Sequence, residues 1–245
     1  MRLLFSTSND PALNLAIEEL LFFDEEHEYA LLYVNRPAVV LGCNQVWMRE
    51  VDLELCKSNS VEVLRRITGG GTVYHDGGNL NYSFIRSKSG ANAGITAEFL
   101  QPIVQVLGEM GVEAVIGKRK DLWLPSGFKI SGTAAHLKGD RQIQHGTLLY
   151  DANVGLLNRV LQSPYKDVEA KGIASVPSPV KNIRTHMNEQ ELPTVDAYMF
   201  FSDFAMRLQH LLGLDSIEMP DQQLLVAAEK LAAGKYRLDE WNLRK

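Results

Sequence analysis

Residues 65–76 read RRITGGGTVYHD, three consecutive glycines between an arginine pair and a short strand-like stretch. Ordering glycine costs roughly 0.5–1 kcal/mol more than ordering alanine in a regular element, so three in a row need a reason. Positive-φ geometry is one reason, and close approach by something bulky is another. Successive glycine amides can cradle an anion. Neither GxxxxGK(S/T) nor a GxGxxG that opens a helix is present, however, and the chain runs on into a strand. Two readings of the glycines alone stay open. They form a bare-backbone wall against an extended ligand, or they mark a β-bulge or loop crossing.

The pattern around them predicts the frame. Asp10 as N-cap and Pro11 at N1, followed by Leu13, Ala16, Ile17, Leu20 and Leu21 at helical spacing, open a first helix. LLYVN, AVVLG and VEVLRRI read as strands, with one short helix over 48–58. TVYHD and NLNYSFI are strands joined by a tight turn at Gly77-Gly78. A helix is expected over 95–110 despite Pro102, which ends a first turn or kinks it. VEAVIG and DLWLP follow, then KISGTAAHL and QIQHGTLLY as a hairpin around Lys138-Gly139-Asp140. A linker-like stretch at 162–194 precedes helices over about 195–213 and 221–232. Strands come first and helices mostly last, which predicts an α+β fold with a mixed or antiparallel sheet.

With 45% apolar and 22% charged side chains over 245 residues, the composition is that of an ordinary globular chain. A formal charge of −5 lacks the basic footprint of a nucleic-acid binder. Arg65/Arg66 and Lys118-Arg119-Lys120 are its local basic spots. No apolar run reaches a membrane span, and acids appear early at Asp10, Glu18 and Glu19 without a hydrophobic leader, so a cytoplasmic location is expected. Cys43 and Cys56 provide neither a disulfide framework nor metal-ligand spacing and are read as packing residues.

Arg65, Arg66, His75, Asp76 and Asn79 crowd polar groups around an otherwise apolar sheet, which makes the glycine segment a candidate site. RRITGGGTVYHDGGNLNYSF closely resembles the signature of the lipoate–protein ligase family. Other blocks follow in the family's order: DPALNLAIEELLF, VVLGCNQ, KRKDLWLPSGFKISGTAAHLKGDRQIQHGTLLYD, EAKGIASVPSPVKNI and KYRLDEWN. The resemblance covers nearly the whole chain. It implies a biotin/lipoate ligase-like two-sheet α+β catalytic domain over residues 1–245, without the family's small C-terminal accessory domain.

It also implies an activity. Family enzymes activate lipoate with ATP and Mg²⁺ to lipoyl-adenylate. They then pass the lipoyl group to a lysine on a lipoyl domain of a 2-oxoacid dehydrogenase E2, or on the glycine cleavage H protein. Activation could require a separate accessory protein. By resemblance Lys129 is the central catalytic residue, where a fixed ammonium stabilises charge developing on phosphate. Asp121 is the implied Mg²⁺ ligand. The implied lipoate and adenylate contacts are Arg65, Gly69, Gly70, Gly71, Thr72, Val73, His75 and Asn79 from the glycine block. Ser131, Gly132, His145 and Thr147 join them from the later hairpin. Whether His145 shares a face with Lys129 depends on the hairpin register, because a one-residue slip inverts every side chain. Lys171 is either a phosphate contact or a solvated loop lysine.

Two other enzyme mechanisms and one binding role compete. A transferase would accept preformed lipoyl-adenylate or an acyl-carrier donor. A cysteine-thioester transferase is disfavoured because Cys43 precedes the glycine block. A non-catalytic lipoyl binder would need no phosphate-directed cation such as Lys129.

Overall fold

The computed structural model describes residues 1–88, 96–166 and 172–244. Its strands are β1 (Arg2–Ser6), β2 (Tyr29–Val34), β3 (Ala38–Leu41), β4 (Glu62–Arg65), β5 (Val73–His75) and β6 (Asn79–Ser87). The later ones are β7 (Val115–Ile116), β8 (Leu122–Trp123), β9 (Lys129–Ser131), β10 (Thr133–Lys138), β11 (Arg141–Leu149) and β12 (Ile217–Glu218). The helices are α1 (Pro11–Phe23), α2 (Trp47–Glu50), α3 (Leu53–Ser58), α4 (Gln101–Glu109), α5 (Val154–Val160), α6 (Ile183–Glu189), α7 (Ala197–Leu211), α8 (Gln222–Leu231) and α9 (Asp239–Asn242). No described helix is long and apolar enough to cross a membrane.

A six-stranded mixed sheet in the order β10-β11-β6-β2-β1-β12 forms the centre. β1 runs parallel to both β2 and β12, and the remaining pairs are antiparallel. One face buries Leu32, Leu80, Phe84 and Leu148 against α4 and α7. The other buries Leu31, Tyr33, Ile85 and Ile143 against α1. That alternation along each strand is what two covered faces require. The second sheet, β4-β3-β5, packs against α3 and α5 through Val39, Leu41, Cys56 and Val160. A third small sheet, β7-β8-β9, adds to the two that were expected.

Local signals explain most elements. Asp10 caps α1 by accepting from the Ala12 and Leu13 amides, with Pro11 behind it as expected. Pro102 sits in the first turn of α4, where its missing N–H costs nothing. The hairpin loop is the two-residue Gly139-Asp140, with Lys138 paired to Arg141 and Gly139 at φ +58°.

Three expectations need correcting, and one that holds, the Gly77-Gly78 turn, has a further consequence. Residues 48–58 form two short helices, α2 and α3, because the chain is extended at Val51 between them. KISGTAAHL is two strands on different sheets, parted at Gly132. The Gly77-Gly78 turn is tight, with the Asn79 amide donating to the Asp76 carbonyl, but it carries the chain between sheets. The stretch 162–194 contains the helix α6.

Candidate functional site

Consecutive strand residues project to opposite faces, and the arginine pair at the end of β4 shows it. Arg65 turns inward and is fully buried. Its guanidinium donates to the backbone carbonyls of Gly42 (2.9 Å), Gln45 (2.7 Å), Asn242 (3.1 Å) and Arg244 (3.1 Å). Arg66 turns toward the glycines. It donates to Thr68 Oγ1 (2.8 Å) and to the carbonyls of Val40 (2.9 Å), Gly69 (2.6 Å) and Gly71 (2.7 Å). Burial pushes both guanidinium pKa values down to about 10, which leaves them charged at neutral pH. The glycine loop is thus wrapped around a cation. Gly70 adopts φ +84°, which a side chain would strain, and its carbonyl lies 2.2 Å from where a side chain on Gly42 would begin, so the loops cross without room for a Cβ on Gly42.

The loop forms one wall of a cavity of 340 Å³. One end is lined by Leu15, Tyr33, Val40, Ala134, His75 and His145. The other holds Arg119, Asp121 and Lys129, and there it adjoins a second cavity of 780 Å³. Thr72, Val73, Lys129, Gly132 and Thr147 line both.

Lys129, at the start of β9, places its ammonium 3.0 Å from Asp121 Oδ2. The other Asp121 oxygen accepts from the Trp123 indole at 2.8 Å, and Arg119 lies 3.5 Å away. Burial alone would raise the Asp121 pKa, but the Trp123 and Lys129 hydrogen bonds outweigh it and hold the carboxyl below its ordinary range. The pair fixes a cation at the junction of the cavities. No cluster of three or more His, Cys, Asp or Glu side chains suited to a metal occurs among the described residues.

Behind the other end runs a buried relay. Glu18 on α1 accepts from the Ser83 hydroxyl and pairs with His145 Nδ1 at 2.9 Å. His145 Nε2 lies 2.7 Å from Thr68 Oγ1, which in turn accepts from Arg66. Burial would raise the Glu18 pKa, but His145 and Ser83 hold it below the usual carboxylate value. A second network latches the loop 172–178 over the cavity. Ser175 Oγ accepts from the Thr72 amide (2.9 Å) and from Gln45 Nε2 (3.0 Å), while Glu50 accepts from the Ser175 amide (3.2 Å).

Of the residues expected at the site, Gly70, Gly71, Thr72, Val73 and His75 line the first cavity. Asp121, Lys129, Gly132, His145 and Thr147 line it too, and the hairpin register puts His145 opposite Ala134. Ser131 lines the second cavity. Arg65, Gly69 and Asn79 are among the lining residues of neither. The expectation for Arg65 is therefore corrected, and Arg66 takes its place facing the cavity. Gly69 contributes its carbonyl to Arg66, and Asn79 bonds Asn81 at 3.1 Å. Lys171 lies outside the described residues. Neither cysteine is among the described lining residues of these two cavities, and burial pushes the Cys56 thiol up to about 12. Sequence reasoning missed Glu18, Thr68, Gln45, Glu50 and Ser175. A signal existed for the first, because Asn14 and Glu18 are polar residues four apart on the buried face of α1.

A mixed α+β frame thus holds a cavity that runs from an apolar end to a lysine paired with an aspartate. Residues 10–203 match the lipoyl protein ligase A/B catalytic domain, and the chain belongs to that family. It is 39% identical over 242 residues to lipoate-protein ligase LplJ of Bacillus subtilis, covering 96% of this chain and 70% of that protein. Among solved structures, protein Ta0514 of T. acidophilum with bound lipoic acid superposes with a TM-score of 0.78 at 25% identity, over 99% of this chain and 98% of that one. A bi-partite lipoate protein ligase from Thermoplasma acidophilum, studied with its E2 lipoyl domain, shares the fold at a TM-score of 0.81 and 24% identity, over 99% and 95%. So does lipoate-protein ligase A bound with ATP, at 0.78 and 24%, over 99% and 98%.

Proposed function

We propose that this protein is an ATP-dependent lipoate–protein ligase. It activates lipoate as lipoyl-adenylate and transfers the lipoyl group to a lysine of a lipoyl domain, that of a 2-oxoacid dehydrogenase E2 or the glycine cleavage H protein. The observation that carries this reading is the Lys129 ammonium, held by Asp121 where the apolar cavity meets the larger one. The acyl chain lies against the glycine loop, and the nucleotide occupies the second cavity.

In the first step a lipoate carboxylate oxygen attacks the α-phosphorus of ATP and pyrophosphate leaves. Lys129 draws the carboxylate and phosphate together and offsets the charge that builds on phosphorus, a role most effective where water is excluded. In the second step the acceptor amine attacks the acyl carbon, AMP leaves and the amine gives up a proton. The same ammonium polarises the acyl carbonyl. Asp121 suits Mg²⁺, which needs only one or two carboxylates beside phosphate oxygens, and its buried Oδ2 meets the cations of Lys129 and Arg119. When bound, the ion would neutralise phosphate charge. Arg119, about half exposed at the same end, supplies a second cation to the leaving group.

Intact mass of a purified lipoyl domain tests the reading. One tube holds this protein, lipoate, ATP and Mg²⁺, and a parallel tube replaces lipoate and ATP with synthetic lipoyl-adenylate. One added lipoyl group in both tubes means a complete ligase. Gain only from the adenylate assigns activation to a separate accessory protein. No gain in either tube overturns the ligase reading.

A further inference from the structure

The end of the first cavity remote from Lys129 is apolar apart from a few polar groups, and nearly all of these are already engaged. Both His145 nitrogens are occupied, by Glu18 and Thr68. The Tyr33 hydroxyl reaches Glu18, and Arg66 is spent on the glycine loop and Thr68. His75 Nε2 differs. It is buried and has no hydrogen-bond partner among the described residues. Asp121 Oδ2, at the opposite end, is by contrast paired with the Lys129 ammonium at 3.0 Å.

The proton on His75 can be located by following its neighbours. Asn14 Nδ2 lies 2.8 Å from the Ser8 carbonyl, which can only accept, so this atom is the amide nitrogen. The same nitrogen donates to Asn35 Oδ1 at 2.8 Å, which fixes the orientation of the Asn35 amide. Asn35 Nδ2 therefore faces His75 Nδ1 at 3.0 Å and donates to it. With Nδ1 accepting, the single proton of a neutral ring sits on Nε2. Burial, with Arg66 and His145 nearby, pushes the His75 pKa down to about 3, so the ring is neutral at pH 7. A chain of buried amides thus leaves one N–H without an acceptor on a ring that lines the cavity, and a buried donor without an acceptor is unfavourable.

We propose that His75 selects the distal end of the acyl chain by donating from Nε2 to a ring sulfur, so that this cavity prefers a chain ending in a dithiolane to an all-carbon chain of equal size. This rests on the ligase reading, in which the carboxylate end lies at Lys129. Sulfur is a weak but sufficient acceptor. Simple burial would favour the all-carbon ring, because it is the more apolar. A preference for sulfur therefore has to come from a specific contact, and the His75 N–H provides one.

Calorimetric titration of the native protein with lipoate and with 5-cyclopentylpentanoate, which has the same chain and ring size without sulfur, tests this. The expected result is lipoate bound about fivefold more tightly, the effect of one hydrogen bond. In His75→Leu the preference for lipoate should vanish or reverse toward the all-carbon acid, whereas His75→Gln, which keeps an amide donor, should retain part of it. His75→Phe, of larger volume, replaces His75→Leu if that variant does not fold. Equal binding by the native protein overturns the proposal, and so does a sulfur preference that survives in the variant without a donor. Failure of lipoate itself to bind the native protein counts instead against the ligase reading.

Discussion

In the proposed reaction Lys129 carries the chemistry, and the expected cost of losing it is large. Lys129→Ala should lower lipoyl transfer by about 10²–10³-fold, the effect of removing one preorganised charge. Lipoate binding, measured by calorimetry, should change far less. His75 makes a prediction about pH. Its ordinary pKa of 6.5 falls to about 3 in the folded protein. Between those values the unfolded chain holds a proton that the folded chain refuses. Stability is then complete above pH 6.5 and declines as pH falls toward 3, by about 2 kcal/mol between pH 7 and pH 5. Urea midpoints at the two pH values measure the slope, and His75→Leu should flatten it. At this scale the sequence named the arginine pair but could not say which member faced the cavity. That depended on where β4 ends, and alternation makes the answer binary. Lys129 and Asp121 were nameable from the family motif, whereas Glu18 and Asn35 act from behind residues that were.

Elements place these residues by close crossings. Gly42 follows β3 and passes the glycine loop so closely that Gly42→Ala would put its Cβ 2.2 Å from a backbone oxygen. Because backbone cannot rotate aside, this substitution should cost about 1–3 kcal/mol or more, read as a lower melting temperature. It should also weaken lipoate binding, since the loop that moves is the cavity wall. Capping and turn chemistry made α1 and the β10–β11 hairpin legible. α6 was hidden for a specific reason. Its N-cap residue Asn182 makes no side-chain cap bond and instead bonds the Ala152 amide and carbonyl, so tertiary contacts hold the helix. The break at Gly132 was equally unreadable. The Gly132 amide donates to Thr147 Oγ1 at 3.1 Å, a contact from the far arm of the hairpin.

Across the whole molecule, the final residues brace the first half. Lys235 pairs with Glu19 at 2.7 Å, Arg237 pairs with Asp10 at 3.1 Å, and Asn242 Oδ1 accepts from the Arg65 amide at 2.9 Å. Asn242 Nδ2 also donates to the Tyr236 carbonyl at 2.7 Å. Asn242→Ala leaves the buried Arg65 amide without an acceptor and should destabilise the fold by about 1–3 kcal/mol, measured by urea denaturation. The same arrangement sets an order of events during synthesis. A ribosome adding about 5–20 residues per second delivers Arg65 some ten seconds or more before Asn242 and Arg244 emerge. For that interval the guanidinium has the Gly42 and Gln45 carbonyls but lacks those of Asn242 and Arg244. The Arg65 end of β4 therefore completes its packing only once the segment 242–244 has been made.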